Sequence, residues 1–161
     1  MGSDLNDYAF GTSSRSTDFK DSKLSNSPII AWFRRDLRLR DNPALQNACA
    51  RALIEGTHVL PVFILDDEDA QEFANGSASR WWLHHSLKAL NTSLGGSLVL
   101  RKGSAASELT NIIEQSGARA VVWNRCYEPW QMERDAMIKG RLKEQGIDAK
   151  SFQANLLWEP W

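Results

Sequence analysis

After residue 27 the chain alternates short apolar runs with longer amphipathic stretches. Residues 29–34 read IIAWFR, β-branched and aromatic positions that predict a strand. Ala44, Leu45, Ala48, Cys49, Ala52 and Leu53 then recur at helical spacing. Asn42 can cap that helix, Pro43 suits its first position and Gly56 ends it. A second strand is predicted over residues 58–65 (HVLPVFIL), although Pro61 removes one ladder donor from it. Residues 66–72 form an acidic loop, and residues 77–94 a helix whose buried stripe is Leu83, Leu87, Leu90 and Leu94. The pattern continues with a strand over 97–101, a helix over 104–116 with Leu109, Ile112 and Ile113 inward, and a strand over 120–124. A helix over 130–145 and a last strand over 147–153 complete it.

Apolar strands joined by helices argue for a parallel sheet covered on both sides. Right-handed crossovers then give an α/β fold: a five-stranded parallel doubly wound, Rossmann-like sheet with helices on both faces. Such sheets bind ligands beyond the carboxyl ends of their strands, where the strand order reverses, and the expected order puts strands one and four together there. Their ends carry Arg34-Arg35-Asp36 and Asn124-Arg125-Cys126-Tyr127-Glu128, the two richest polar segments of the chain. No GxGxxG follows strand one and no GxxxxGK[ST] occurs, so a glycine loop cradling phosphate is unsupported. Arginines among aromatics suit a planar or anionic ligand. The competing role is structural, with Asp36, Asp41 and Glu128 pairing the arginines and holding the loops in place.

Seven tryptophans are more than one small core needs. On the 77–94 helix Trp81 falls nearly opposite the leucine stripe, with Trp82 and His84 on its two flanks. That placement predicts a cover: a second domain, a partner, a ring-shaped ligand, or the 66–76 loop folded back. The net charge of −1 argues against a surface that grips DNA as a whole, while leaving room for a local basic patch. Cys49 and Cys126 belong to no CxxC pair and are expected to be reduced, mostly buried thiols of a cytoplasmic protein. His84 and His85 lack partners at metal-ligand spacing, and no run approaches the roughly 20 apolar residues of a membrane span. Residues 1–27 are polar and expected to be a disordered extension. The domain is expected over 28–153, with 154–161 starting a linker to a further domain.

Four segments carry a resemblance. WFRRDLRLRDNPAL (32–45), RWWLHHSLKAL (80–90), VVWNRCYEPW (121–130) and LLWEPW (156–161) resemble, in order and spacing, the N-terminal antenna domain of the photolyase/cryptochrome family. The RWW and WEPW forms are most similar to plant cryptochromes and related bacterial cyclobutane pyrimidine dimer photolyases. The resemblance implies a blue-light enzyme that splits such dimers in DNA using reduced FAD. It places FAD, the electron-relay tryptophans and the DNA groove in a helical C-terminal domain outside this chain. This fragment would then hold no catalytic residue, bind no FAD and repair nothing alone. A cryptochrome photoreceptor and a stand-alone ligand-binding module are the alternatives. What remains for this domain is an antenna chromophore, methenyltetrahydrofolate or 8-hydroxy-5-deazaflavin, which passes its excitation to FAD. The resemblance implies Arg35, Asn124, Arg125, Cys126 and Glu128 at a deazaflavin-type pocket, and Trp81 or Trp82 as a stacking surface for folate. Trp130 and Gln131 stand where the enterobacterial type carries a folate-binding Asn-Glu pair, which argues against that mode. The parent protein is expected to be a monomer whose partners are its own FAD domain and, through it, DNA.

Overall fold

The computed structural model describes residues 27–154 and 156–159. Five strands, β1 (Ile29–Phe33), β2 (Val59–Leu65), β3 (Val99–Lys102), β4 (Ala120–Asn124) and β5 (Asp148–Phe152), form one sheet in the order β3-β2-β1-β4-β5. Every pairing is parallel, and Trp32 of β1 lies opposite Trp123 of β4. The order reverses between β1 and β4, as the alternation of elements implies.

Side-chain alternation along β1 sorts the two cores. Ile29, Ala31 and Phe33 pack under α1 (Pro43–Glu55) and α3 (Ser77–Ser93), against Ala44, Ala48, Ala52 and Leu90. Ile30 and Trp32 pack on the other face under α4 (Ala105–Ser116) and α5 (Pro129–Glu144), against Leu109, Ile112, Ile138 and Leu142. Asn42 caps α1 by accepting the Leu45 N–H at 3.0 Å, and Gly56 closes it with φ 65°. Pro61 is tolerated because β3 pairs with β2 only from Val62 onward.

Three expectations change. Strand one stops at Phe33, because the Arg34 N–H leaves the ladder for Asp36 Oδ1 at 2.9 Å. The acidic loop contains a helical turn, α2 (Asp67–Ala70), followed by a 3₁₀ turn at Gln71–Phe73. Asp69 is held there by accepting the Ala105 N–H of α4 at 2.8 Å, a cap supplied across 36 residues that local pattern does not reveal. Cys49 is exposed, since α1 buries only its Ala44-Ala48-Ala52 face; Cys126 is buried as expected. Burial pushes the Cys126 thiol up, so it stays protonated at neutral pH. In this chain a thiol reagent is expected to label Cys49 quickly and Cys126 only on unfolding. Two fast thiols in the native state would contradict this placement.

Candidate functional site

The meeting point of β1 and β4 is built on a buried polar knot. Asn124 donates its amide to Asp36 and, at 2.7 Å, to Asn42 Oδ1, while its own oxygen accepts the Ala44 N–H at 3.1 Å. Asp36 also accepts from the Arg34 N–H at 2.9 Å and from Asn42 Nδ2 at 3.2 Å. Asp36, Asn42 and Asn124 are all buried, and their mutual bonds satisfy what burial would otherwise leave unpaired. The knot ties the ends of both central strands to the first turn of α1.

A row of alternating charges lies beside it. The Arg34 fork donates to the Asn124 carbonyl and to Asp135 at 2.5 Å. Asp135 also holds Arg134 at 3.0 Å, and Arg134 reaches on to Asp66. Both guanidiniums lie over Trp32, at 4.8 and 5.3 Å, and Arg134 also lies over Trp130 at 5.0 Å. Burial raises the Asp66 carboxyl above the ordinary value, and the nearby Arg134 charge only partly offsets it. Ionising Asp66 is therefore harder in the fold than in the unfolded chain. Its favourable contribution, full in acid, is lost as pH rises through the folded value.

Above these groups opens a cleft of about 720 Å³, floored by Phe63, Ile64 and Leu65 at the end of β2. Trp82 and Leu83 of α3, Trp130 and Gln131 of α5, and Arg34 and Arg35 complete its main walls. Two lining residues carry buried polar atoms with no partner among the described residues: the Arg34 Nε donor and the Gln131 Oε1 acceptor. A cleft of this size with aromatic walls and an unmatched donor and acceptor has the chemistry of a site for a flat heterocycle. Trp82, 69% exposed, supplies a ring face.

The structure divides the seven candidate residues. Arg35 and Trp82 line the cleft, and Arg35 forms an ion pair with Glu128. Asn124 lies in the buried knot, its amide engaged within the protein. Arg125 and Cys126 line a separate hollow of about 170 Å³, shared with Trp123, Met132 and Lys139. Trp81 is not among the cleft residues; it is exposed, and its ring meets His85 at 4.4 Å and Trp82 at 6.2 Å. The 66–76 segment leaves it uncovered. Of the partners weighed for the arginines, Glu128 takes Arg35, but Arg34 goes to Asp135, far along the chain. Sequence pattern alone gives Gln131 no contact role, yet it lines the cleft. It belongs to the first turn of α5, which follows a crossover strand, and such turns face the crevice. No group of three or more His, Cys, Asp or Glu that could hold a metal occurs among the described residues. No helix among them is long and apolar enough to cross a membrane.

Fold and cleft define a doubly wound α/β domain with a cleft beyond the carboxyl ends of β1 and β2. The DNA photolyase family model matches residues 29–161, and the chain belongs to that family. It is 44% identical over 140 residues to a deoxyribodipyrimidine photo-lyase of Agrobacterium fabrum, covering 85% of this chain and 28% of that protein. It is 45% identical over 136 residues to cryptochrome-2 of Arabidopsis thaliana, covering 82% of this chain and 21% of that protein. A solved bacterial class III photolyase from Agrobacterium tumefaciens superposes with a TM-score of 0.76 at 43% identity, covering 88% of this chain and 29% of that one. The chain thus spans less than a third of the length of these relatives.

Proposed function

We propose that this chain is the light-harvesting N-terminal domain of a deoxyribodipyrimidine photolyase and holds an antenna chromophore, methenyltetrahydrofolate or 8-hydroxy-5-deazaflavin, in the cleft. The observation that carries this reading is the cleft beyond the ends of β1 and β2, with an exposed Trp82 ring and the unmatched Arg34 and Gln131 atoms. Trp82 stacks on the ring system, Gln131 accepts from a ring N–H, and Arg35 at the mouth attracts the anionic portion of the ligand. When bound, the chromophore supplies absorption in the near ultraviolet or blue and passes the excitation on. Repair of cyclobutane pyrimidine dimers by FAD belongs to the remainder of the polypeptide, as does contact with DNA. The match to a plant cryptochrome keeps one second reading, the same domain serving a photoreceptor.

The test is the absorption spectrum of the full-length protein with and without Trp82→Ala. A near-ultraviolet band assigns folate and a blue band beyond that of flavin assigns deazaflavin. Loss of one stacking face is expected to weaken retention about tenfold. Trp81→Ala should leave the band unchanged. No antenna band, or a band indifferent to Trp82, would sink the site. Repair of dimers under blue light separates the photolyase from the receptor.

A further inference from the structure

The segment after β5 is held firmly yet points its largest apolar side chains into solvent. Leu157 is 95% and Trp158 88% exposed, and Leu156 is exposed as well. Arg38 donates to the Ala154 carbonyl at 3.1 Å, and Gln153 donates to the Leu156 carbonyl at 2.8 Å. Glu159 closes the segment: one carboxylate oxygen accepts from Arg125 Nε at 2.6 Å and from the Tyr127 hydroxyl at 2.9 Å. Arg125 also donates to the Ser151 carbonyl at 3.2 Å, so the same guanidinium grips the end of β5. Neither Leu157 nor Trp158 lines the chromophore cleft or the smaller hollow.

We propose that Leu157 and Trp158 are an apolar anchor, held outward by the Glu159 clasp, that seats against the part of the same polypeptide following Trp161. A flexible tail would pay the entropy of ordering when it docks, whereas the clasp has ordered this one already. A tryptophan beside a leucine on a fixed backbone is the kind of group that dominates an interface once it is buried. The occupant follows from length and position. The relatives continue well beyond the matched region, which makes up 28% of the bacterial photolyase. Chain directly attached to the anchor meets it at high effective concentration. The clasp is then a positioning device: Arg125 and Tyr127, which stand between β4 and α5, set where the next domain sits relative to the cleft. This rests on the reading of the chain as one domain of a longer photolyase.

Hydroxyl-radical footprinting of the full-length protein, native against urea-unfolded, tests the proposal. Native Trp158 is expected to be modified at least about tenfold more slowly than unfolded. Equal rates would overturn the anchor, and protection lost on dilution to the monomer would transfer it to a second copy and overturn it too. Glu159→Ala should return about tenfold of the protection, and unchanged protection would overturn the clasp. The chromophore band is read on the same samples. A protected Trp158 without a band sinks the antenna reading alone; a bound chromophore beside an unprotected Trp158 sinks the anchor alone.

Discussion

Asn124→Asp is expected to destabilise the domain by about 4 kcal/mol at neutral pH and to recover much of that in acid. The substitution is nearly isosteric, so packing barely changes. What changes is that the amide donating to Asp36 and to Asn42 Oδ1 becomes an oxygen facing two acceptors. Two carboxylates in contact inside the fold cannot both ionise, so one must hold a proton and its folded pKa rises. A raised folded pKa means the penalty is absent below the unfolded carboxylate value, near 3.9, and grows as pH climbs toward the folded one. Asn124→Ala provides the contrast. It strands the Ala44 N–H and removes one of two donors from Asn42 Oδ1 and from Asp36 Oδ2, which keep the Leu45 N–H and Asn42 Nδ2, at roughly 2 kcal/mol with little pH dependence of its own. Urea unfolding of both variants between pH 4 and 7 measures this, with m-values checked for constancy. A pH-independent deficit in Asn124→Asp would show that the introduced carboxyl does not meet Asp36 in the knot.

That knot also shows what the sequence could and could not reveal. The strands were legible because buried parallel strands are nearly all apolar, and IIAWF and AVVWN have no other reading as strongly supported. Order and direction followed from chain topology, which brought the two polar segments to one edge. Division of labour among those polar residues was not legible. Arg34 and Arg35 are adjacent and chemically identical in sequence, yet their side chains are 5% and 60% exposed. The bend after β1 turns one inward to Asp135, 101 residues on, and leaves the other at the cleft mouth, a geometry that no periodicity announces. Helix α5 concealed its inner face for a related reason: part of what it buries is Gln131 and Arg134, so its periodicity reads as polar. The outward placement of Trp81 was readable from helical spacing, and the resemblance offered Trp81 or Trp82 as a ring surface, but spacing did not say that Trp82 is the one lining the cleft.

Arg34 and Arg35 should therefore fail in opposite ways. Arg34→Ala is expected to cost about 3 kcal/mol, because it removes a buried guanidinium and takes one of the two cations from half-buried Asp135. It also unpairs the Asn124 carbonyl and empties the space over Trp32. Arg34→Lys should recover little, since a single ammonium cannot reproduce a fork that reaches both a carbonyl and a carboxylate. Arg35→Ala should stay within about 0.5 kcal/mol of the parent, because its pair with Glu128 is solvent-exposed. Its effect belongs to the ligand instead: without the cation at the mouth, chromophore retention should fall by about tenfold, and more steeply at low ionic strength than at high. Urea titrations and the antenna absorbance per protein, taken on the same preparations, read both quantities. A stable Arg34→Ala with a weakened band, or an unfolded Arg35→Ala, would reverse the assignment and make the inner arginine the ligand group.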